Sequence, residues 1–287
     1  MKSLSGILAK NLCCGLLLTQ SVWAQIPVND TGAGADLNAV AWSGKLYVAV
    51  GNSGAIVKSP DGITWTMPTN YPGTAKALTG IAYGKGLFVG VGAAATVVTS
   101  PDGDNWSSGE TAATVADLSG VAYGNGGFVA IGASGVILYS ANGTNWTVAN
   151  SGTISALDGI AFANGQFVVT GDDSQTSLTA LLGLSWTVGG AGLGEYNYAV
   201  AGGNNVFVAV DYAGDIFSSE DGLNWVQQAA TGVTSLESVA YGGGVFLAVG
   251  ASGTLFASPN GTNWTQLAAA TTEQFNGVVA GNVDARR

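Results

Sequence analysis

Ser100-Pro101-Asp102-Gly103-Asp104-Asn105-Trp106 is a segment whose echoes decide how the whole chain is read. Ser59-Pro60-Asp61-Gly62-Ile63-Thr64-Trp65 and Ser219-Glu220-Asp221-Gly222-Leu223-Asn224-Trp225 repeat it. Softened forms stand at Ser140-Ala141-Asn142-Gly143-Thr144-Asn145-Trp146 and Ser258-Pro259-Asn260-Gly261-Thr262-Asn263-Trp264. The closing tryptophans, Trp65, Trp106, Trp146, Trp186, Trp225 and Trp264, are 41, 40, 40, 39 and 39 residues apart. One structural unit of about forty residues is therefore repeated six times.

Working outward from the box, each unit opens with an alternating segment such as Leu118-Ser119-Gly120-Val121-Ala122-Tyr123. A glycine-rich turn, an apolar run such as Phe128 to Ile131, a tight turn and a third short run follow. Alternation, β-branched and aromatic residues and regular glycine punctuation predict short antiparallel strands. A period near 40 with four strands per unit predicts an all-β fold, a β-propeller of six four-stranded blades. The predicted blades fall near 37–77, 78–117, 118–156, 157–196, 197–235 and 236–274, with a closing strand at 275–281. That last segment, Phe275 to Gly281, repeats the opening strand a seventh time, and Ile26 to Asn29 precedes the first copy at the register of a fourth strand. These ends suit either a six-bladed ring closed by overlap or pieces of a seventh blade. Ala41, Ala82, Ala122, Ala161 and Ala240 recur on the first strand, where blades converge and small side chains fit.

The repeat explains the composition. The 287 residues include 45 glycines, about twice the ordinary share of ~7%, yet 47% are hydrophobic, which suits a packed core rich in turns. There is no histidine, which excludes Ser-His-Asp and Cys-His catalysis, His-ligated zinc and imidazole acid–base chemistry. Residues 1–24 carry Lys2 and Lys10, an apolar run from Leu12 to Leu18, and Val22-Trp23-Ala24 before Gln25, the pattern of a cleaved secretory signal. Cleavage there gives a single domain over 25–287 and a secreted or periplasmic address. It removes Cys13 and Cys14, leaving no thiol or disulfide, and leaves six basic residues against 18 acidic ones, a formal charge of −12. No lysine or arginine lies between Gly86 and Ala285, so binding to nucleic acid or an anionic membrane surface is disfavoured.

The boxes resemble the Asp-box, or BNR, repeat of sialidase-like β-propellers, although here aspartate and glycine are adjacent where the usual box has one more residue between them. The resemblance covers nearly the whole mature chain. It implies that the boxes lie on the outer rim between the third and fourth strands, with a structural role for Asp61, Asp102, Asn142, Asp221, Asn260 and the six tryptophans. Sialidases of the family grip a carboxylate with three arginines; the only arginines here are Arg286 and Arg287, so sialidase activity is rejected. Other relatives with similar repeats resemble assembly factors for photosynthetic complexes.

Two places invite function. Asp158 and Glu237 share one register on the first strands of units four and six, where Asn38, Thr79, Ser119, Tyr198 and Asn276 stand elsewhere. They are weak candidates for the two carboxylates of a glycosidase, against the plainer reading of a solvated channel lining. The second place is where the pattern breaks. Unit four reads Ala180-Leu181-Leu182-Gly183-Leu184-Ser185-Trp186 at its box and Gly171-Asp172-Asp173 at its turn; unit five has Asp211-Tyr212 where glycine is expected, preceded by Glu195 and Tyr196. Asp172, Asp173, Asp211, Tyr212, Glu195 and Tyr196 are the expected ligand-binding residues. Carboxylates among them, Asp172, Asp173 and Asp211, are weak candidates for calcium, and otherwise no cofactor is expected. A non-catalytic, monomeric binding or scaffolding module for a protein, peptide or glycan is the favoured expectation. A carbohydrate-active hydrolase and an assembly factor for a membrane protein complex are the alternatives.

Overall fold

The computed structural model describes residues 12–14, 35–62, 64–71, 73–111, 113–172, 176–268 and 274–279. Asp173, most of the signal (residues 1–11 and 15–24) and Ile26 to Asn29 lie outside them.

Six antiparallel blades follow one another along the chain, each running from the inside of the ring outward. After β1 (Leu12–Cys14), blade one holds β2 (Leu37–Trp42), β3 (Tyr47–Gly51) and β4 (Ile56–Ser59). Among the described residues its fourth strand is represented by a single bridge between Lys58 and Thr66. Blade two holds β5 (Leu78–Gly84), β6 (Leu87–Gly92), β7 (Thr96–Ser100) and β8 (Ser107–Glu110), and blade three β9 (Leu118–Gly124), β10 (Gly127–Gly132), β11 (Ile137–Ser140) and β12 (Thr147–Ala149). Blade four holds β13 (Leu157–Ala163), β14 (Gln166–Gly171), β15 (Ser177–Ala180) and β16 (Thr187–Gly189). Blade five holds β17 (Asn197–Gly203), β18 (Val206–Asp211), β19 (Asp215–Ser219) and β20 (Val226–Ala230). Blade six holds β21 (Leu236–Gly242), β22 (Val245–Gly250), β23 (Leu255–Ser258) and β24 (Thr265–Gln266). The final strand, β25 (Gly277–Val279), packs between β21 and β2 and pairs in parallel with β1. Among the described residues β1 and β25 form a separate two-stranded sheet beside blades one and six.

The core lies between successive blades. The second strand of blades two to six contributes Phe88, Phe128, Phe167, Phe207 and Phe246, all buried; each stabilises the fold by about 2–3 kcal/mol relative to exposure. In four of these blades an aromatic on the inner strand contacts it, as in Tyr83–Phe88 and Tyr123–Phe128, with centroids 4.6 and 4.8 Å apart. In blades three, four and six that inner aromatic also rests on the inner-strand glycine of the preceding blade: a side-chain carbon on Gly124 would meet the Phe162 ring at 2.1 Å. Blade five lacks the aromatic, having Gly202 opposite Phe207, and blade four correspondingly carries Ala163 where blades two, three, five and six carry Gly84, Gly124, Gly203 and Gly242. A methyl group in one blade fills part of the space a ring vacates in the next.

The tryptophan boxes connect the third and fourth strands and are hydrogen-bonded turns. In blade two, Asp102 Oδ1 accepts from the Asp104 and Asn105 N–H groups, each at 2.8 Å, and Ser100 Oγ accepts from Gly103 N–H at 2.8 Å. Trp106 Nε1–H donates to Gly103 O at 3.0 Å. Asn142 and Asn260 repeat the aspartate's role, and Asp61 Oδ1 accepts from Thr64 N–H. Each oxygen satisfies N–H groups that the turn takes out of the ladder. Ala180 and Leu182 cannot do this in blade four, where Leu181, Leu182 and Leu184 are exposed.

Candidate functional site

In blades one to three the second residue of the inner strand couples neighbouring blades. Asn38 Nδ2 donates to Leu78 O at 2.8 Å, Thr79 Oγ1 to Leu118 O at 2.6 Å, and Ser119 Oγ to Leu157 O. Asp158, Tyr198 and Glu237 occupy the same register in blades four, five and six, so the belt of neutral donors gives way to a half-buried carboxylate, phenol and carboxylate. Burial, together with the charge of Asp172, pushes Asp158 up to about 6. Ser235 Oγ donates to Glu237 Oε1 at 2.7 Å. Tyr198 is raised from the usual phenol range, first by burial and then by the charge of Glu237, with Asp158, Tyr212 and Tyr196 adding smaller effects. The carboxylates expected to line a channel therefore flank one tyrosine.

Blade five departs from the others just where this register begins. Leu37, Leu78, Leu118, Leu157 and Leu236 open the inner strands of the other blades and are buried; Asn197 stands in their place and is 0% exposed. Across the ladder those leucines pair with Gly51, Gly92, Gly132, Gly171 and Gly250, whereas Asn197 pairs with Asp211, itself only 1% exposed. Asn197 Nδ2 donates to Gly194 O at 2.8 Å, but its Oδ1 has no hydrogen-bond partner.

The five glycines are required by space. A side-chain carbon on them would sit 2.0–2.4 Å from the carbonyl oxygen of the residue preceding the inner strand, respectively Asp36, Ala77, Asp117, Ala156 and Ser235. Asp211 carries such a carbon, and the residue facing it, Tyr196, adopts φ 55°. None of the five counterparts has a positive φ. A bulky residue in the left-handed region is strained, and here the strain has an identifiable cause in Asp211. Tyr196 O still accepts from Tyr212 N–H at 3.1 Å, and Tyr196 N–H donates to Asp172 O at 3.3 Å, which ties the turn of blade four to blade five.

Three tyrosines result on one end of the ring, the end bearing the turns between second and third strands. Tyr196 and Tyr212 are 50% and 58% exposed. Tyr212 meets Tyr196 and Tyr198 edge to face, with centroids 6.4 and 6.1 Å apart and interplanar angles of 73° and 87°. Of the residues expected to bind ligand, Glu195, Tyr196 and Tyr212 are exposed and Asp172 partly so. Asp211 is turned away from solvent: Asp215 N–H donates to its Oδ1 at 2.8 Å, and a side-chain carbon on Gly194 would lie 2.4 Å from its Oδ2. Burial pushes Asp211 up to about 6 against that hydrogen bond. It shapes the site instead of facing a ligand. No group of three or more His, Cys, Asp or Glu among the described residues is placed to hold a metal ion. Asn197 carries a signal the sequence offered, a polar residue at a leucine register, and Tyr198 was visible there only as one of several channel-lining positions.

The model of the family DUF6242_C, described as the DUF6242 beta propeller domain, matches residues 11–118. The solved structure of YCF48 bound to D1 peptide is 17% identical, with 88% of this chain and 86% of that chain covered at a TM-score of 0.66. YCF48 from Cyanidioschyzon merolae gives 17% identity, 88% and 90% coverage and a TM-score of 0.67. The computationally designed Ika8 protein gives 14%, 94%, 91% and 0.69. At these identities the likeness is one of fold, that of a β-propeller. No curated protein sequence matches the chain.

Proposed function

We propose that the protein is an exported, non-catalytic module that binds a protein or peptide on the turn face of blades four and five. The observation that carries this reading is the cluster of Tyr196, Tyr198 and Tyr212, built on the one blade whose inner strand abandons the leucine–glycine pairing. Exposed tyrosines offer large contact area with few rotatable bonds, which suits recognition of a partner. A propeller of similar fold bound to a peptide supports the same reading, and by its fold supports the assembly-factor variant of it. The hydrogen-bonded boxes support kinship with the Asp-box propellers. Site-specific photo-cross-linking tests the proposal. A photoreactive residue at Tyr212 is expected to capture partners that one at the exposed Met67 of blade one does not. Identical adducts from both positions would count against the face.

A hydrolase reading has one observation in its favour: Asp158, protonated up to about pH 6, has the form a general acid needs, and Glu237 lies on the other side of Tyr198. Turnover of a chromogenic glycoside panel, abolished by Asp158→Asn, is what that reading requires.

A further inference from the structure

We infer that the tyrosine cluster is a receptor for cationic side chains, and that its ligand is a lysine- or arginine-bearing segment of a partner protein. The inference deepens the binding reading above and rests on it.

The argument begins with shape. Tyr212 touches both Tyr196 and Tyr198 edge to face, so the three rings form one continuous aromatic surface whose faces point in different directions. The face of an aromatic ring carries partial negative charge and attracts a cation lying within about 6 Å of its centroid. An anionic ligand meets the wrong sign on such a surface.

The surroundings reinforce that sign. Glu237 and Asp158 act electrostatically on Tyr198 from the neighbouring blades, Asp172 acts on Asp158, and Glu195 precedes Tyr196 in an exposed connection. No lysine or arginine lies between Gly86 and Ala285, so blades three to six bring no positive charge to compete. The chain as a whole carries a formal charge of −10. A basic segment is therefore drawn to the protein at long range and held at short range by rings and carboxylates together.

The cost of building the surface points the same way. Asn197, which sits between two of the three tyrosines in sequence, is completely buried with an unpartnered oxygen, and Tyr196 is held at φ 55° by Asp211. The other blades show that a leucine–glycine pair removes both costs. A packing requirement does not account for their retention in blade five, whereas the placement of Tyr196 against Tyr212 does.

Fluorescence anisotropy with labelled peptides tests this directly. The probes are Gly-Ser peptides of about twelve residues carrying about three arginines, three lysines, three glutamines or three glutamates. The arginine and lysine peptides are expected to bind, the glutamine and glutamate peptides at least about tenfold more weakly, and affinity to fall as salt is raised. Tyr212→Ala is expected to lose about tenfold with the basic peptides; Tyr212→Phe, which keeps the ring, is expected to retain most of the affinity. Melting curves of both variants confirm that they fold. If the glutamine peptide binds as well as the arginine peptide and Tyr212→Ala abolishes both, the cation inference is overturned while peptide docking on this face stands. If basic peptides bind Tyr212→Ala as tightly as the wild type, or no basic peptide binds, the inference fails and cross-linking at Tyr212 decides the broader reading separately.

Discussion

Asn197 and Asp211 face each other across the first two strands of blade five, a buried polar pair where every other blade pairs leucine with glycine. The Asp211 side chain occupies the space into which a neighbouring carbonyl would otherwise project, and Tyr196 takes a left-handed backbone conformation beside it. One substitution in a repeat thereby redirects an aromatic side chain on the surface.

Restoring the repeat is expected to trade binding for stability. The double variant Asn197→Leu with Asp211→Gly removes a buried oxygen without a partner and a buried carboxyl, and is expected to stabilise the fold by about 1–3 kcal/mol in urea unfolding. Its crystal structure is expected to show Tyr196 at negative φ. A variant less stable than the wild type would refute the account of strain.

Stability is expected to peak at mildly acid pH. Asp158 and Asp211 titrate near 6 when folded, above the ordinary carboxylate value of about 4, so the folded state holds more protons between these limits and loses stability as pH rises through them. Asp102 and Asp221 behave oppositely. Hydrogen bonds from turn N–H groups depress both, with Asp221 near 2, and their contribution disappears as pH falls below about 4. Unfolding measured from pH 3 to 8 is expected to show a maximum near pH 4–5 and a decline of about 1–2 kcal/mol towards pH 7. Asp158→Asn is expected to flatten that decline.

Two glycines of blade three separate space from backbone conformation. Gly132→Ala places a carbon about 2.1 Å from Asp117 O and is expected to cost about 2–4 kcal/mol, because backbone must move. Gly126 has φ 85° with nothing near its absent side chain, and Gly126→Ala is expected to cost about 1–2 kcal/mol. Equal losses in thermal unfolding would argue against the steric explanation.

The boxes are open to gain as well as loss. Ser140→Ala removes the acceptor of the buried Gly143 N–H and is expected to cost about 1–2 kcal/mol. Ala180→Ser with Leu182→Asp rebuilds the missing box of blade four and is expected to add about 1 kcal/mol, while removing exposed apolar surface. Circular-dichroism melts of the two variants should move in opposite directions.

Export carries a simple expectation: protein recovered from outside the cytoplasm begins at Gln25. Cleavage at that position removes β1, so β25 would then remain between β21 and β2 without its parallel partner. Intact-mass measurement on the secreted protein checks the cleavage site, and a retained Leu12–Cys14 would contradict it.

The blades were legible because the repeat advertises itself. Six tryptophans at nearly constant spacing, with glycine and asparagine or aspartate before five of them, report local turn chemistry that depends on residues close in sequence. The prominence of Tyr212 and Tyr196 was legible for the same reason, as departures from an expected residue. Their arrangement was not. Whether the Asp211 carboxylate faces a ligand or the core depends on Gly194 and Asp215 filling its surroundings, and the left-handed turn at Tyr196 depends on a contact across the ladder. The charges on Tyr198 come from Asp158 and Glu237, each about forty residues away in sequence and brought alongside only by the ring. Sequence determined the unit, its number and its turns, because those follow from short-range pattern. Tertiary structure decided which departures meet, because burial, steric exclusion and electrostatics act between residues that only the closed ring makes neighbours.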